Sequence, residues 1–335
     1  MEFNRTELMP GVFLSHLCSD KFKTACMSVT LLTQLRRETA AMNAVIPFVL
    51  RRGTTRYSDM EQLSRRMDEL YGAAVEPVVR RIGEIQCIGF YGSFPEPDYL
   101  PGGEALLGDT CALMAQLLLD PVTRGGLLLP QYVDSEREKL LDIIRSRMND
   151  KRSYALTRCI EEMCCYEDFA VSRFGSESEA ENIHYKKLTR HYRELIQTCP
   201  VEIFYCGKTD FKAVSAAMRD AFSAMPRGEI DYDIGTDLRM NAVEDHIRFV
   251  EEEMDVTQGK LSLGFFTDIT ANDPRYPALV LAATVFGGGA TSKLFTNVRE
   301  QMSLCYYASA SFEKFKGVED KLGTPAHIYY KFEGN

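Results

Sequence analysis

Ala40-Ala41-Met42-Asn43-Ala44-Val45-Ile46-Pro47-Phe48-Val49-Leu50-Arg51-Arg52-Gly53-Thr54 is the stretch from which the rest of this chain can be read. Its apolar run predicts a buried helix, closed by Gly53 in the left-handed conformation. A short polar turn follows, Asp59 is placed to cap a second helix, and Leu70-Tyr71-Gly72-Ala73 leads into a strand from Ala74. Upstream, Gly11 to Cys18 and Phe22 to Leu32 read as two strands. Downstream come strands at Ala74 to Val79 and Glu84 to Phe90, then a Pro-rich connector. Helices are predicted over Glu104 to Leu119, residues 131–148, Ser153 to Cys165 and Tyr185 to Thr198. Val201 to Cys206 reads as a buried strand, and a helix runs from Asp210 or Phe211 to Met225. Strands and helices in this order make an α+β layer sandwich.

The same grammar then recurs. After an aperiodic stretch beginning at Pro226, Gln258 to Phe266 reads as a strand, and Pro277 to Phe286 as an apolar helix ended by Gly287-Gly288-Gly289. A helix over Thr291 to Gln301 follows, and Leu304-Cys305-Tyr306-Tyr307 enters a strand as Leu70-Tyr71-Gly72-Ala73 does. An internal repeat of this kind predicts two related units. Their expected bounds are 1–228 and 244–335, with 229–243 as a linker. From Glu319-Asp320-Lys321 onward the pattern is no longer followed, which implies a truncated or frame-shifted second unit.

Bulk properties narrow the function. A net charge of −9 argues against general affinity for nucleic acid or an anionic membrane, since counterion release needs clustered cations. Arg51, Arg52, Arg56, Arg65, Arg66, Arg80 and Arg81 do cluster along the chain; they read as an acid-paired surface or as a patch for an acidic partner. The ten cysteines sit mostly in apolar runs without a C-x-x-C, the N-terminus carries no apolar signal segment, and no run reaches the about 20 residues needed to span a bilayer. A reduced, cytoplasmic protein is expected.

In wording and order these segments resemble the pitrilysin/insulinase zinc peptidases, the inverzincins. There the first helix carries H-x-x-E-H shortly before a Gly-Thr. With Gly53-Thr54 matched to that pair, the three chemical positions fall on Ala44, Pro47 and Phe48. A catalytic zinc needs three N, O or S ligands and a nearby carboxylate, and these residues supply none. Val133-Asp134-Ser135-Glu136-Arg137-Glu138-Lys139 resembles the segment bearing the family's third ligand, which would be Glu136. Read without the family, Glu136 is an acid near a helix start, paired with a neighbouring base. Of the histidines His16, His184, His191, His246 and His327, no two are spaced i, i+4; His184 and His191 share a helix face only if that helix is continuous.

Gly287-Gly288-Gly289-Ala290-Thr291-Ser292-Lys293-Leu294-Phe295, followed by Arg299-Glu300-Gln301-Met302-Ser303-Leu304-Cys305-Tyr306, resembles the family's second-half segment. The resemblance puts the substrate-holding Arg and Tyr at Arg299 and Tyr306, with Ser303 where the family has Gly. Both side chains can donate to a developing oxyanion. The other reading is a structural Arg joining helix to strand, with Tyr306 as a half-buried strand residue. The Gly run lacks the Lys-Ser/Thr ending of a phosphate loop.

The resemblance is to zinc-lacking bacterial members found beside a zinc-bearing sibling, pairs associated in some bacteria with modification of elongation factor P. It implies no metal or other cofactor of the chain's own. It also implies a peptide substrate, with the sibling subunit as partner in a peptide-cleaving heterodimer. The alternative is a non-catalytic peptide-binding or scaffold protein. With Ala44, Pro47 and Phe48 on the ligand helix, dialysed protein should retain well under one equivalent of zinc by elemental assay. Stoichiometric zinc that is lost on Glu136→Gln would overturn that expectation.

Overall fold

The computed structural model describes residues 2–235, 248–270, 272–314 and 325–333. Residues 236–243 of the expected linker, the expected unit start at Glu244, His246 and the expected break at Glu319-Asp320-Lys321 lie outside the described residues.

In chain order the elements are β1 (Glu2–Met9), β2 (Val12–Cys18), β3 (Thr24–Gln34), α1 (Ala40–Leu50), α2 (Met60–Glu69), β4 (Ala74–Ile82) and β5 (Ile85–Pro95). Next come α3 (Leu107–Leu119), the two-residue strands β6 (Thr123–Arg124) and β7 (Leu127–Leu128), α4 (Pro130–Ser146), α5 (Lys151–Met163) and α6 (Glu177–Glu181). Then follow α7 (Tyr185–Thr198), β8 (Val201–Gly207), α8 (Phe211–Ala221), β9 (Lys260–Thr270), α9 (Tyr276–Gly287), a π-helical turn (Phe295–Gln301), β10 (Tyr307–Lys314) and β11 (Pro325–Glu333). The α+β class expected from the sequence is what the chain adopts. β1 escaped the sequence reading. Among the described residues it is an edge strand paired only with β2, and an edge needs no continuous apolar run.

The first sheet runs β1-β2-β8-β3-β5-β4. β3 lies antiparallel to both β8 and β5, while β2 and β8 run parallel. Alternation along β3 sends Ala25, Met27, Val29 and Leu31 inward, where they join one core with α1, α3, α7 and α8. Asp59 caps α2 as expected, its carboxylate accepting from the Gln62 amide at 2.9 Å. Gly53 differs from expectation. It is absent from the left-handed residues, and a Cβ there would lie 2.7 Å from the Ser58 carbonyl oxygen. Close approach of the two backbones, not a helix-ending conformation, calls for glycine.

The second sheet runs β10-β11-β9, all antiparallel. Its plan repeats that of the first sheet. In each unit a strand, two helical segments and two strands follow in sequence, and the last strand pairs between the other two: β3-β5-β4 in one, β9-β11-β10 in the other. The sequence reading ended the pattern too early, because Pro325–Glu333 forms the middle strand β11. Ile328, Tyr330 and Phe332 alternate there with His327, Tyr329 and Lys331, a period of two that was available to sequence inspection.

Contacts divide the chain into 1–81, 85–144 and 172–234 on one side and 82–84, 145–171 and 235–335 on the other. Residues 145–171 therefore group with the second unit, although the sequence reading places them in the first. α5 packs on β9, where a Cβ at Gly264 would meet the Met163 and Cys159 sulfurs. The linker begins as an ordered strap on the first unit. Arg227 donates to the carbonyls of Pro10, Ile196 and Cys199, and Gly228 and Asp231 amides bond to Gln197 and Thr198.

Among the described residues, two non-glycine positions adopt positive φ, Tyr71 at 55° and Ser303 at 52°. Both lie between a helical segment and the next strand. Ser303 closes the π-helical turn: its amide bonds to Arg299 O and the Leu304 amide to Val298 O, each at 3.1 Å. The resembled family's Gly at this position thus has a conformational reason, and serine bears the steric cost of the left-handed region. Ser303→Gly should stabilise the second unit by about 0.5–1 kcal/mol. Ser303→Val should destabilise it. Equilibrium unfolding of the two variants checks the sign.

Candidate functional site

α1 is apolar on every side except at Asn43, and Ala44 and Pro47 are buried within it, with Phe48 half-buried. Pro47 in the helix interior cannot donate the usual backbone hydrogen bond, a cost of about 3 kcal/mol that the surrounding packing offsets. None of the three side chains offers a ligand atom.

Across from the end of this helix, Glu136 on α4 is buried at 5% exposure. Its Oε1 accepts from Lys139 Nζ at 2.7 Å and from Arg52 Nη1 at 3.3 Å. Arg52 also lies over the Tyr132 ring, 5.0 Å from its centre. The carboxylate is thus neutralised by protein cations, as the reading without the family expected. Among the described residues, no group of three His, Cys, Asp or Glu is placed to hold a metal ion. The arginine run as a whole is largely spoken for. Arg65 pairs with Glu61, Arg66 with Glu69 and Asp109, and Arg51 donates to the Val75 carbonyl.

A polar cluster that sequence reasoning missed sits on the same helix. Asn43 Nδ2 donates to Gln86 Oε1 at 2.8 Å, and Gln86 Nε2 donates to the carbonyls of Ala40 at 3.0 Å and Arg173 at 2.6 Å. Both amides are fully buried. His191 Nε2 lies 2.6 Å from Asn43 Oδ1. Since that oxygen can only accept, Nε2 carries the proton. A lone Asn inside an apolar helix, with a lone Gln heading a buried strand, was the signal in the sequence. The histidine pair does not form a site. His184 caps α7, its Nδ1 accepting from the Lys186 amide, while His191 turns to Asn43. His16 is buried and stacked on Tyr205 with its Nε2 2.8 Å from the Thr209 carbonyl oxygen.

In the second unit, Arg299 and Tyr306 come together. The Arg299 guanidinium lies 4.4 Å from the centre of the Phe295 ring and 5.8 Å from that of Tyr306, and pairs with Glu300 at 3.0 Å. Tyr306 is 74% exposed, so its ring stands in solvent and not in the half-buried setting of the structural reading. The π-helical turn that carries Arg299 is an uncommon form, one that recurs at functional sites.

Residues 182–323 match the family described as the peptidase M16 inactive domain. Over 318 residues the chain is 32% identical to the probable inactive metalloprotease YmfF of Bacillus subtilis strain 168, covering 94% of this chain and 73% of that protein. The chain belongs to the M16 peptidase family. Both the matched family model and this relative are described as inactive. Among solved structures it is similar to a conserved protein from Enterococcus faecalis V583, with TM-score 0.87 and 24% identity over 99% of this chain and 75% of that one. A peptidase M16 inactive domain from Pseudomonas fluorescens superposes with TM-score 0.71 at 13% identity, covering 100% of this chain and 75% of that one. These structures share the M16 fold.

Burial holds the His191 imidazole below its ordinary pKa. The unfolded chain therefore binds a proton that the folded chain resists, so stability is fully present above the unfolded value of about 6.5 and falls as pH drops below it. The slope from this group is at most about 1.4 kcal/mol per pH unit. His191→Gln keeps a donor for Asn43 but does not titrate, and should flatten the stability profile between about pH 5 and 7 relative to the parent. Parallel denaturant titrations across that range measure the difference.

Proposed function

We propose that this chain is the non-zinc subunit of a two-chain M16 peptidase, lending Arg299 and Tyr306 to the zinc site of an H-x-x-E-H-bearing sibling. What carries this reading is the contrast between the two sites. At Ala44, Pro47 and Phe48 the ligand chemistry is gone, and Glu136 is neutralised by Arg52 and Lys139. At Arg299 and Tyr306 a cation and an exposed phenol are kept side by side, without a buried carboxylate to absorb the charge. A chain serving only as a scaffold has no need of an exposed phenol beside a guanidinium.

In this reading the sibling's metal supplies the Lewis acid, and a peptide carbonyl is the group on which charge develops. Arg299 and Tyr306 stabilise that charge from the opposite wall. No helix among the described residues is long and apolar enough to cross a membrane, and all ten cysteines are free thiols, which supports a reducing, cytoplasmic setting. The second reading, a peptide-binding scaffold without a role in turnover, predicts that Tyr306 is dispensable.

The test is kcat of the reconstituted pair, measured alongside thermal melts of each variant. Arg299→Ala and Tyr306→Phe should leave pairing and melting intact and lower kcat by roughly 100- to 1000-fold for the loss of an oxyanion donor. An unchanged kcat with an unchanged melt leaves the scaffold reading. A lowered melt, with activity falling only as folded protein is lost, makes Arg299 structural.

A further inference from the structure

Two of the ten cysteines face each other at the middle of the first sheet. Cys26 on β3 and Cys206 on β8 are direct partners in the antiparallel register. Their neighbours Ala25, Met27 and Tyr205 are buried in the core, so both half-buried thiols stand on the sheet's other face. The Leu32 amide donates to the Pro200 carbonyl. Hydrogen-bonded pairs recur at every second residue of an antiparallel ladder, which makes Cys26–Cys206 such a pair, with Cα atoms about 5.5 Å apart. Disulfides bridge Cα separations of about 4.4–6.8 Å.

The other thiols are less well placed. Cys87, Cys111 and Cys199 are buried, and burial pushes them up to about 11, 12 and 11. Cys18 also lies near Cys206, but the parallel register sets it opposite Gly207 and sets Leu17 opposite Cys206, which turns Cys18 to the other face.

We propose that Cys26 and Cys206 form a reversible dithiol–disulfide site, oxidised by a two-electron oxidant of the peroxide or azo class, that staples β3 to β8. With a peroxide, one thiolate attacks an oxygen, giving a sulfenic acid and water. The second thiolate attacks that sulfur, forms the S–S bond and expels hydroxide, which is protonated to water. Two thiols lose two electrons and two protons in all, and hydrogen peroxide becomes two waters. Burial, the adjacent Cys26 and the charges of Cys18 and Glu96 raise the Cys206 thiol, with Tyr91 also facing the pair, so the reaction speeds up as pH rises. Cβ atoms across an antiparallel pair lie about 4.5–5.5 Å apart, against about 3.8 Å in a disulfide, so the bond is strained and easily reduced.

The full-length protein is treated with diamide at pH 8, its remaining thiols are alkylated, and the product is digested without reductant. The expected result is a monomer roughly 2 Da lighter before alkylation, a peptide joining Cys26 to Cys206, a raised melting temperature, and reversal by millimolar dithiothreitol. Cys26→Ser and Cys206→Ser should each abolish the link, and Cys18→Ser should leave it. Full alkylation without mass loss would overturn the proposal, as would a link from Cys206 to Cys18 or disulfide found only between chains. The peptide map of the unmutated protein decides the matter even if a variant folds poorly.

Discussion

The Asn43 side chain sets the position of much of the first unit. α1 is apolar around nearly its whole circumference, so hydrophobic burial alone leaves its rotation on the sheet poorly specified. A buried amide is costly unless bonded, and only one rotation lets Asn43 meet Gln86 on β5 while accepting from His191 on α7. That contact ties helix, sheet and a second helix together. It also sets where the chain leaves α1, and hence where Arg52 arrives beside Glu136.

Around this fixed helix the interior is ordinary packing, with Ala44 and Pro47 buried and Phe48 half-buried. Pro47 and Phe48 fill it, and Arg52 supplies positive charge where Glu136 would otherwise be a stranded carboxylate. Arginine suits that role because its planar head can pair with a carboxylate while its face rests on Tyr132. In the second unit the local backbone is held in a less common form. The π-helical turn and left-handed Ser303 aim Arg299 past Phe295 toward Tyr306.

The repeated sheet plan explains why the two units are alike in outline yet differ in covering. In both, the third strand of the motif inserts between the first two, so register is determined from both sides. α5 follows the first motif in sequence but packs on β9. The first sheet instead carries Cys26 and Cys206 half-exposed on the face away from its core.

Most element types, the α+β class and the repeat were legible in the amino-acid order, because periodicity and side-chain type are local properties. Asp59 at its cap and α7 over Tyr185–Thr198 followed from the same local rules. β11 carries a readable alternation at Ile328, Tyr330 and Phe332, whereas β1 has no strong local signal. What only the tertiary structure decided was pairing. Asn43 finds Gln86 and His191, Arg52 finds Glu136, α5 finds β9, and Cys26 finds Cys206. Each of these joins residues far apart in the chain, and a residue's own sequence neighbourhood says what it needs without saying which distant partner supplies it.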